Sequence, residues 1–235
     1  MSSTTKAPLA VQPNKPIEIL PSPSSQLFSN LHPILLLGTL LFNFKTLVND
    51  PVNTLLGLAP TIALLQAFYC ILCLPPPGSQ AKGSAKKKGA KASSDLAGRI
   101  VPTFLSLLLT LFLSAPALYI LLILFGAPLT THQLHTILLA LHLALLTTPH
   151  LYYAHGLVKE TWFQIASLQI PVDEVFGMTL GACVGAWVGA IPIPLDWDRE
   201  WQKWPVTIVG GMYAGAVVGK LAGAWVFRGW RVKIS

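Results

Sequence analysis

Long runs of apolar residues, broken by short polar stretches, organise this chain, and at least five of the runs approach or exceed the roughly 20 residues a helix needs to cross a bilayer core. The first extends from about Leu27 to Val48. Asn49, Asp50 and Pro51 then supply a turn before a second run ends at Leu74. So short a connection predicts an antiparallel helical hairpin over residues 27–74. A third run covers about Ile100 to Gly126, and a fourth covers about His132 to Tyr153, where histidines dilute a leucine-rich sequence. From Gly156 to Ile170, Trp162, Phe163, Ile165 and Leu168 interleave with polar residues, a pattern too polar to span and suited to lying at the membrane surface. The fifth run, Val175 to Leu195, and the sixth, Pro205 to Phe227, bracket a compact loop from Asp196 to Trp204. The predicted fold class is all-α: a polytopic transmembrane bundle of about six spans, four of them within residues 100–227.

Composition strengthens this reading. Of 235 residues, 53% are hydrophobic and 11% charged, against roughly a quarter charged in an ordinary soluble domain. A chain so committed to lipid has no room for a soluble catalytic domain. Residues 1–26 carry Pro8, Pro13, Pro16, Pro21 and Pro23 among serines and read as a disordered tail without a cleaved presequence. Residues 75–99 form a basic low-complexity linker with Lys82, Lys86, Lys87, Lys88 and Lys91, and 228–235 form a short basic tail. The net charge of +7 is concentrated in such segments. With the N-terminus in the cytosol, that side collects nearly all the Lys and Arg, leaving Lys45, Arg199 and Lys203 opposite, so both termini are expected to be cytosolic.

A repeat links the last two spans. Gly177, Gly181, Gly185 and Gly189 recur every four residues, as do Gly211, Gly215, Gly219 and Gly223. At 3.6 residues per turn each set draws a narrow stripe without side chains. Helices in lipid associate through packing and small-residue contacts, so the stripes predict a tight pair, or a face offered to a partner subunit or a lipid.

Candidate chemistry is sparse. His132, His135, His142, His150 and His155 cluster in or beside the fourth span, and HLYYAH at His150–His155 resembles one histidine box of membrane desaturases, but the doubled-histidine element is absent. Imidazoles hydrogen-bonded within the bundle or seated at the interface are the competing reading. Cys70 and Cys73 form a CxxC inside an apolar run with no second ligand pair. Lys220, within the sixth span, is expected to snorkel toward the cytosolic interface, with an anionic partner as the alternative. Pro171, Asp173 and Glu174 are placed to start the fifth helix. In the loop, Asp196, Asp198 and Glu200 alternate with Trp197, Arg199 and Trp201; a helical loop would put Trp197, Trp201 and Trp204 on one face as an aromatic anchor at headgroup level, and a divalent cation held by the three carboxylates is the alternative. No P-loop or Ser-His-Asp pattern appears, and no catalytic, cofactor or metal residue is assigned.

The stretch PVDEVFGMTLGACVGAWVGAIPIPLDWDREWQKWPVTIVGGMYAG, residues 171–215, resembles the signature region of the PIG-F family of glycosylphosphatidylinositol-anchor biosynthesis proteins. Its specific part is GAWVGAIPIPLDWDREWQKWP, with Pro192, Pro194 and the closing Trp204-Pro205. The resemblance implies a non-catalytic, multi-pass protein of the endoplasmic reticulum. Its partners would be the catalytic ethanolamine-phosphate transferase subunits, which it would stabilise as they add ethanolamine phosphate to the anchor's mannose core. A membrane lipid, the anchor precursor included, is a further partner, and nucleic acid is excluded. On that view the glycine stripes with Pro171, Asp173 and Glu174 position helices. Pro192, Pro194, Asp196, Trp197, Asp198, Arg199, Trp201, Trp204 and Pro205 form a lumenal contact loop. The rival reading is a lipid-modifying enzyme or lipid transporter built on the histidine-rich span.

Overall fold

The computed structural model describes residues 15–77, 92–195 and 197–232, with residues 92–96 described by backbone only. Ten α-helices follow one another in the described residues: α1 (Pro23–Phe42), α2 (Phe44–Asn49), α3 (Pro51–Cys73), α4 (Ala92–Leu109), α5 (Ala115–Leu124), α6 (Gln133–Thr147), α7 (Pro149–His155), α8 (Lys159–Ala166), α9 (Glu174–Ala190) and α10 (Val206–Leu221). π-helical turns join α4 to α5 and extend α10 through Ala222–Val226. Five segments are long and apolar enough to cross a membrane, and α9, at 17 residues, is a sixth, shorter apolar helix.

The starts are written locally. Ser22 caps α1 by accepting the Ser25 N–H at 3.2 Å, and Asp50 caps α3 by accepting that of Asn53 at 3.1 Å, each just ahead of a proline whose missing N–H costs nothing there. Hydrogen bonds from Asn53, the side-chain one foremost, hold the Asp50 carboxyl below its ordinary value. The first run is interrupted at Asn43, whose side chain turns back to donate to the Thr39 carbonyl at 2.8 Å. The fourth run breaks before Pro149, which cannot donate to the preceding turn.

The histidine-rich span, α6 and α7, is the central element, with 72% of its most apolar window buried within the chain, whereas Ala97–Leu124 buries only 11%. That contrast explains the polar residues of the fourth span: a helix surrounded by protein can carry imidazoles where a lipid-facing helix cannot. Around it pack α3, α4, α5, α9 and α10, with α1 lying against α3 and α10. The peripheral segment running from α4 into its π-helical turn keeps a polar edge inward, with Thr103, Ser106, Thr110 and Ser114 buried. The Thr110 and Thr148 hydroxyls lie 3.0 Å apart, and the Ser114 hydroxyl lies 2.8 Å from that of Tyr152.

Three boundaries differ from the sequence reading. The tail expected to be disordered through residue 26 is packed from Ile17 onward: Ile17 is buried, its N–H donates to Asp173 at 2.8 Å, and the Leu20 N–H donates to the Cys73 carbonyl at 2.9 Å. Backbone groups satisfied by other helices order a stretch whose own composition would not. The linker expected over 75–99 yields its end to α4, and the tail expected over 228–235 returns to pair with the chain ahead of α9. The rest of those expectations falls on residues 1–14, 78–91 and 233–235, which lie outside the described residues.

Candidate functional site

The α9–α10 pair carries the family-like residues, and its geometry is set by the absence of side chains. A methyl group built on Gly181 would run into the Gly215 carbonyl and come within 2.7 Å of the Gly219 Cα. Gly185 meets Gly211 and Gly215 in the same way, Gly177 meets Gly219 and Gly223, and Gly189 faces the backbone of Thr207 and Ile208. Each four-residue step forward on α9 meets a four-residue step back on α10. The two stripes therefore lie against each other, backbone to backbone, in an antiparallel register that no other residue type fits.

Asp173 opens the pair. It caps α9 by accepting the Phe176 N–H at 2.9 Å, and its second oxygen accepts the Ile17 N–H, so one carboxylate ties the N-terminal segment to the helix start. Burial pushes this carboxyl above its ordinary value, and the backbone hydrogen bonds from Ile17 and Phe176 oppose that shift. The buried Pro171 precedes it.

Beside it sits a polar node in which Lys220 takes the anionic partner that the sequence offered as the alternative to snorkelling. The Lys220 side chain, expected to snorkel, is only 3% exposed; its ammonium donates to the Ser29 carbonyl at 2.7 Å and the Ser29 hydroxyl at 3.1 Å, lies 3.7 Å from Glu174 Oε2 and stands 4.3 Å from the centre of the Tyr69 ring. The Ser29 hydroxyl donates to the same Glu174 oxygen at 2.8 Å, and Tyr69 donates to it at 3.4 Å. His32 stacks on Tyr69 with ring centres 4.7 Å apart. Lys220 takes the inward path because a carboxylate, a carbonyl and an aromatic face await it there, a better set than one unaccompanied cation finds in hydrocarbon. The node joins α1, α3, α9 and α10. The closed glycine register brings its two charges together: Glu174 begins the first turn of α9, and Lys220 lies in the last turn of α10.

The remaining histidines are spread through the bundle. His142 bridges the Tyr213 hydroxyl at 2.7 Å and the Leu55 carbonyl at 2.9 Å, and His150 pairs with Thr179 at 2.9 Å, while His132 and His135 sit together at the start of α6 with rings 5.1 Å apart. Among the described residues no three His, Cys, Asp or Glu side chains converge as a metal cluster.

At the other end of the pair, the loop is organised by a residue the sequence reading did not single out. The buried Gln202 donates to the carbonyls of Pro192 at 2.8 Å and Leu195 at 2.7 Å, and accepts the Arg199 N–H at 3.0 Å. Among the described residues of the loop only one short helical turn forms, Glu200–Gln202, so Trp197, Trp201 and Trp204 share no helix face. Trp197 and Trp201 approach with ring centres 5.9 Å apart, whereas Trp204 packs against the core beside the buried Pro205. Pro194, Asp198 and Arg199 are exposed, Glu200 pairs with Lys203 at 3.8 Å, and Asp196 lies outside the described residues.

The family model of the glycosylphosphatidylinositol biosynthesis proteins Pig-F matches residues 31–224. Glycosylphosphatidylinositol anchor biosynthesis protein 11 of Aspergillus fumigatus is 38% identical over 267 aligned residues, covering 97% of this chain and 90% of the relative. Its namesake in Neurospora crassa is 42% identical, with 92% of this chain and 80% of the relative covered, and that of Yarrowia lipolytica is 32% identical, with 93% and 92% covered. No solved structure matches the chain. A family match running from within α1 to the turn after α10, with relatives alike over most of their length, assigns this chain to the Pig-F family of glycosylphosphatidylinositol biosynthesis proteins.

Proposed function

We propose that the chain is a non-catalytic, multi-pass subunit of the endoplasmic reticulum membrane, with both termini cytosolic, that stabilises the glycosylphosphatidylinositol ethanolamine-phosphate transferase. Its step would be the addition of ethanolamine phosphate to the mannose core of the anchor. The observation that carries this reading is where the polar groups go. Buried Lys220, His142 and His150 are engaged by Glu174, Tyr213 and Thr179 of the same chain, while the apolar face of Ala97–Leu124 is left outward. Such an arrangement suits a scaffold that presents helix surfaces to a partner, and family membership supplies the pathway. The loop knotted by Gln202 supplies a compact contact at the far end of the helix pair.

The test is depletion of the chain followed by analysis of anchor precursors and of transferase abundance. Precursors lacking an ethanolamine phosphate should accumulate while the transferase polypeptide declines. Normal precursors, or a block at an unrelated step, would refute the proposal. Purified chain that modifies a glycolipid without any other subunit would favour the rival, a lipid-modifying enzyme.

A further inference from the structure

Packing α9 on α10 through glycine leaves the flanking side chains standing above a sunken floor. Between them runs an open groove of about 630 Å³, floored by Gly181 and Gly215 and walled by Leu180, Val184 and Val218. Its mouth faces outward, with Val184 58% and Val218 65% exposed. One end is built rather than open. The segment after α10 turns back at Phe227 and pairs with Val172 through two backbone hydrogen bonds, Val172 N–H to the Trp230 carbonyl at 2.8 Å and Gly229 N–H to the Val172 carbonyl at 2.7 Å. The Phe227 and Trp230 rings meet edge to face at 5.4 Å. This strap fixes Trp230 and Arg231 at the groove's end.

We propose that the groove binds one phosphate-bearing membrane lipid, with an acyl chain along the glycine floor and the anionic headgroup against Arg231. Two features select this occupant. The side of the groove formed by α9, from Phe176 to Val188, rises about 18 Å at 1.5 Å per residue, close to the roughly 15 Å that one leaflet's acyl chains reach in a hydrocarbon core about 30 Å thick. Hydrocarbon along the walls, an aromatic ring and then a cation at the end reproduce the order of a phospholipid from tail to headgroup. The inference is independent of whether the chain serves a transferase.

The experiment uses the full chain, purified in mild detergent and reconstituted into nanodiscs of equal parts phosphatidylcholine and phosphatidylglycerol, with retained lipid counted by native mass spectrometry. Wild type should keep one lipid, enriched in phosphatidylglycerol about fivefold, the factor that one basic side chain near a membrane surface supplies. Arg231→Gln should keep the lipid and lose the enrichment. Ala214→Phe and, as a second groove-filling change, Val218→Trp should each lose the lipid while remaining monodisperse and helical. Equal retention by wild type and both groove-filling variants, or equal amounts of the two lipids on wild type, would overturn the proposal. So would crosslinking of the groove walls to a helix of another protein in native membranes.

Discussion

Gly181→Ala isolates the close approach on which the geometry of the α9–α10 pair depends. The added methyl meets the Gly215 carbonyl and the Cα and N of Gly219, at 2.7 and 2.9 Å for the latter two, all of them backbone atoms. Carbon atoms at rest stand about 3.5–4.0 Å apart, so the helices must part by on the order of 1 Å at this level, and no flexible side chain is present to yield instead. Overpacking of this kind costs about 1–3 kcal/mol. An internal control is available, because a methyl added at Gly57 or Gly210 would have nothing within 4 Å of it. Alanine there should stabilise the helix by about 0.5–1 kcal/mol. The expected gap between Gly181→Ala and Gly210→Ala is therefore about 1.5–4 kcal/mol, or several degrees of melting temperature at about 2–4 °C per kcal/mol for a chain of this size. Fluorescence-detected thermal unfolding of the detergent-solubilised proteins reads it directly. Melting temperatures within a degree of one another would show that the glycine contact does not hold the pair together.

Lys220→Met should destabilise the bundle by about 3 kcal/mol, since it strands Glu174 beside Ser29 and Tyr69 without its cation. Adding Glu174→Gln should recover most of the loss, and a double variant as unstable as the single one, in the same unfolding assay, would contradict a paired node. His142→Phe should lower stability by about 1–3 kcal/mol because it leaves the buried Tyr213 hydroxyl without a partner and removes the side-chain hydrogen bond to the Leu55 carbonyl. His132→Gln together with His135→Gln should leave anchor synthesis at the wild-type level in complemented cells, and its loss would revive the histidine-based enzyme.

How much of this was legible in the sequence varies with the range of the interaction. Helix existence and two of the starts were local: Asp50-Pro51 and Asp173-Glu174 each place a cap just ahead of an apolar run, whereas Ser22-Pro23 falls in a stretch whose composition reads as a tail. The glycine stripes announced a close pair because a four-residue period of missing side chains has a direct geometric meaning. Their register held more than was read from it. Moving back four on α10 for each four forward on α9 puts Glu174 and Lys220 at one end of the pair, so the ion pair was accessible in principle. Snorkelling and an anionic partner both fit Lys220 in the sequence, and only the assembled node decides between them.

The sequence alone determined an all-helical membrane bundle, its approximate spans and the family region, because hydrophobic period, caps and small-residue spacing act within a few turns of chain. Tertiary structure decided that α6 and α7 occupy the centre and that Ile17 is tied to Asp173. It also decided that Ser29, Tyr69, Glu174 and Lys220 meet, and that Gln202 knots the loop. Those outcomes depend on which buried polar group finds which partner across large sequence separations. Their physical reason is the cost of leaving a donor, acceptor or charge unpaired in a medium without water, a cost that only the assembled packing can resolve.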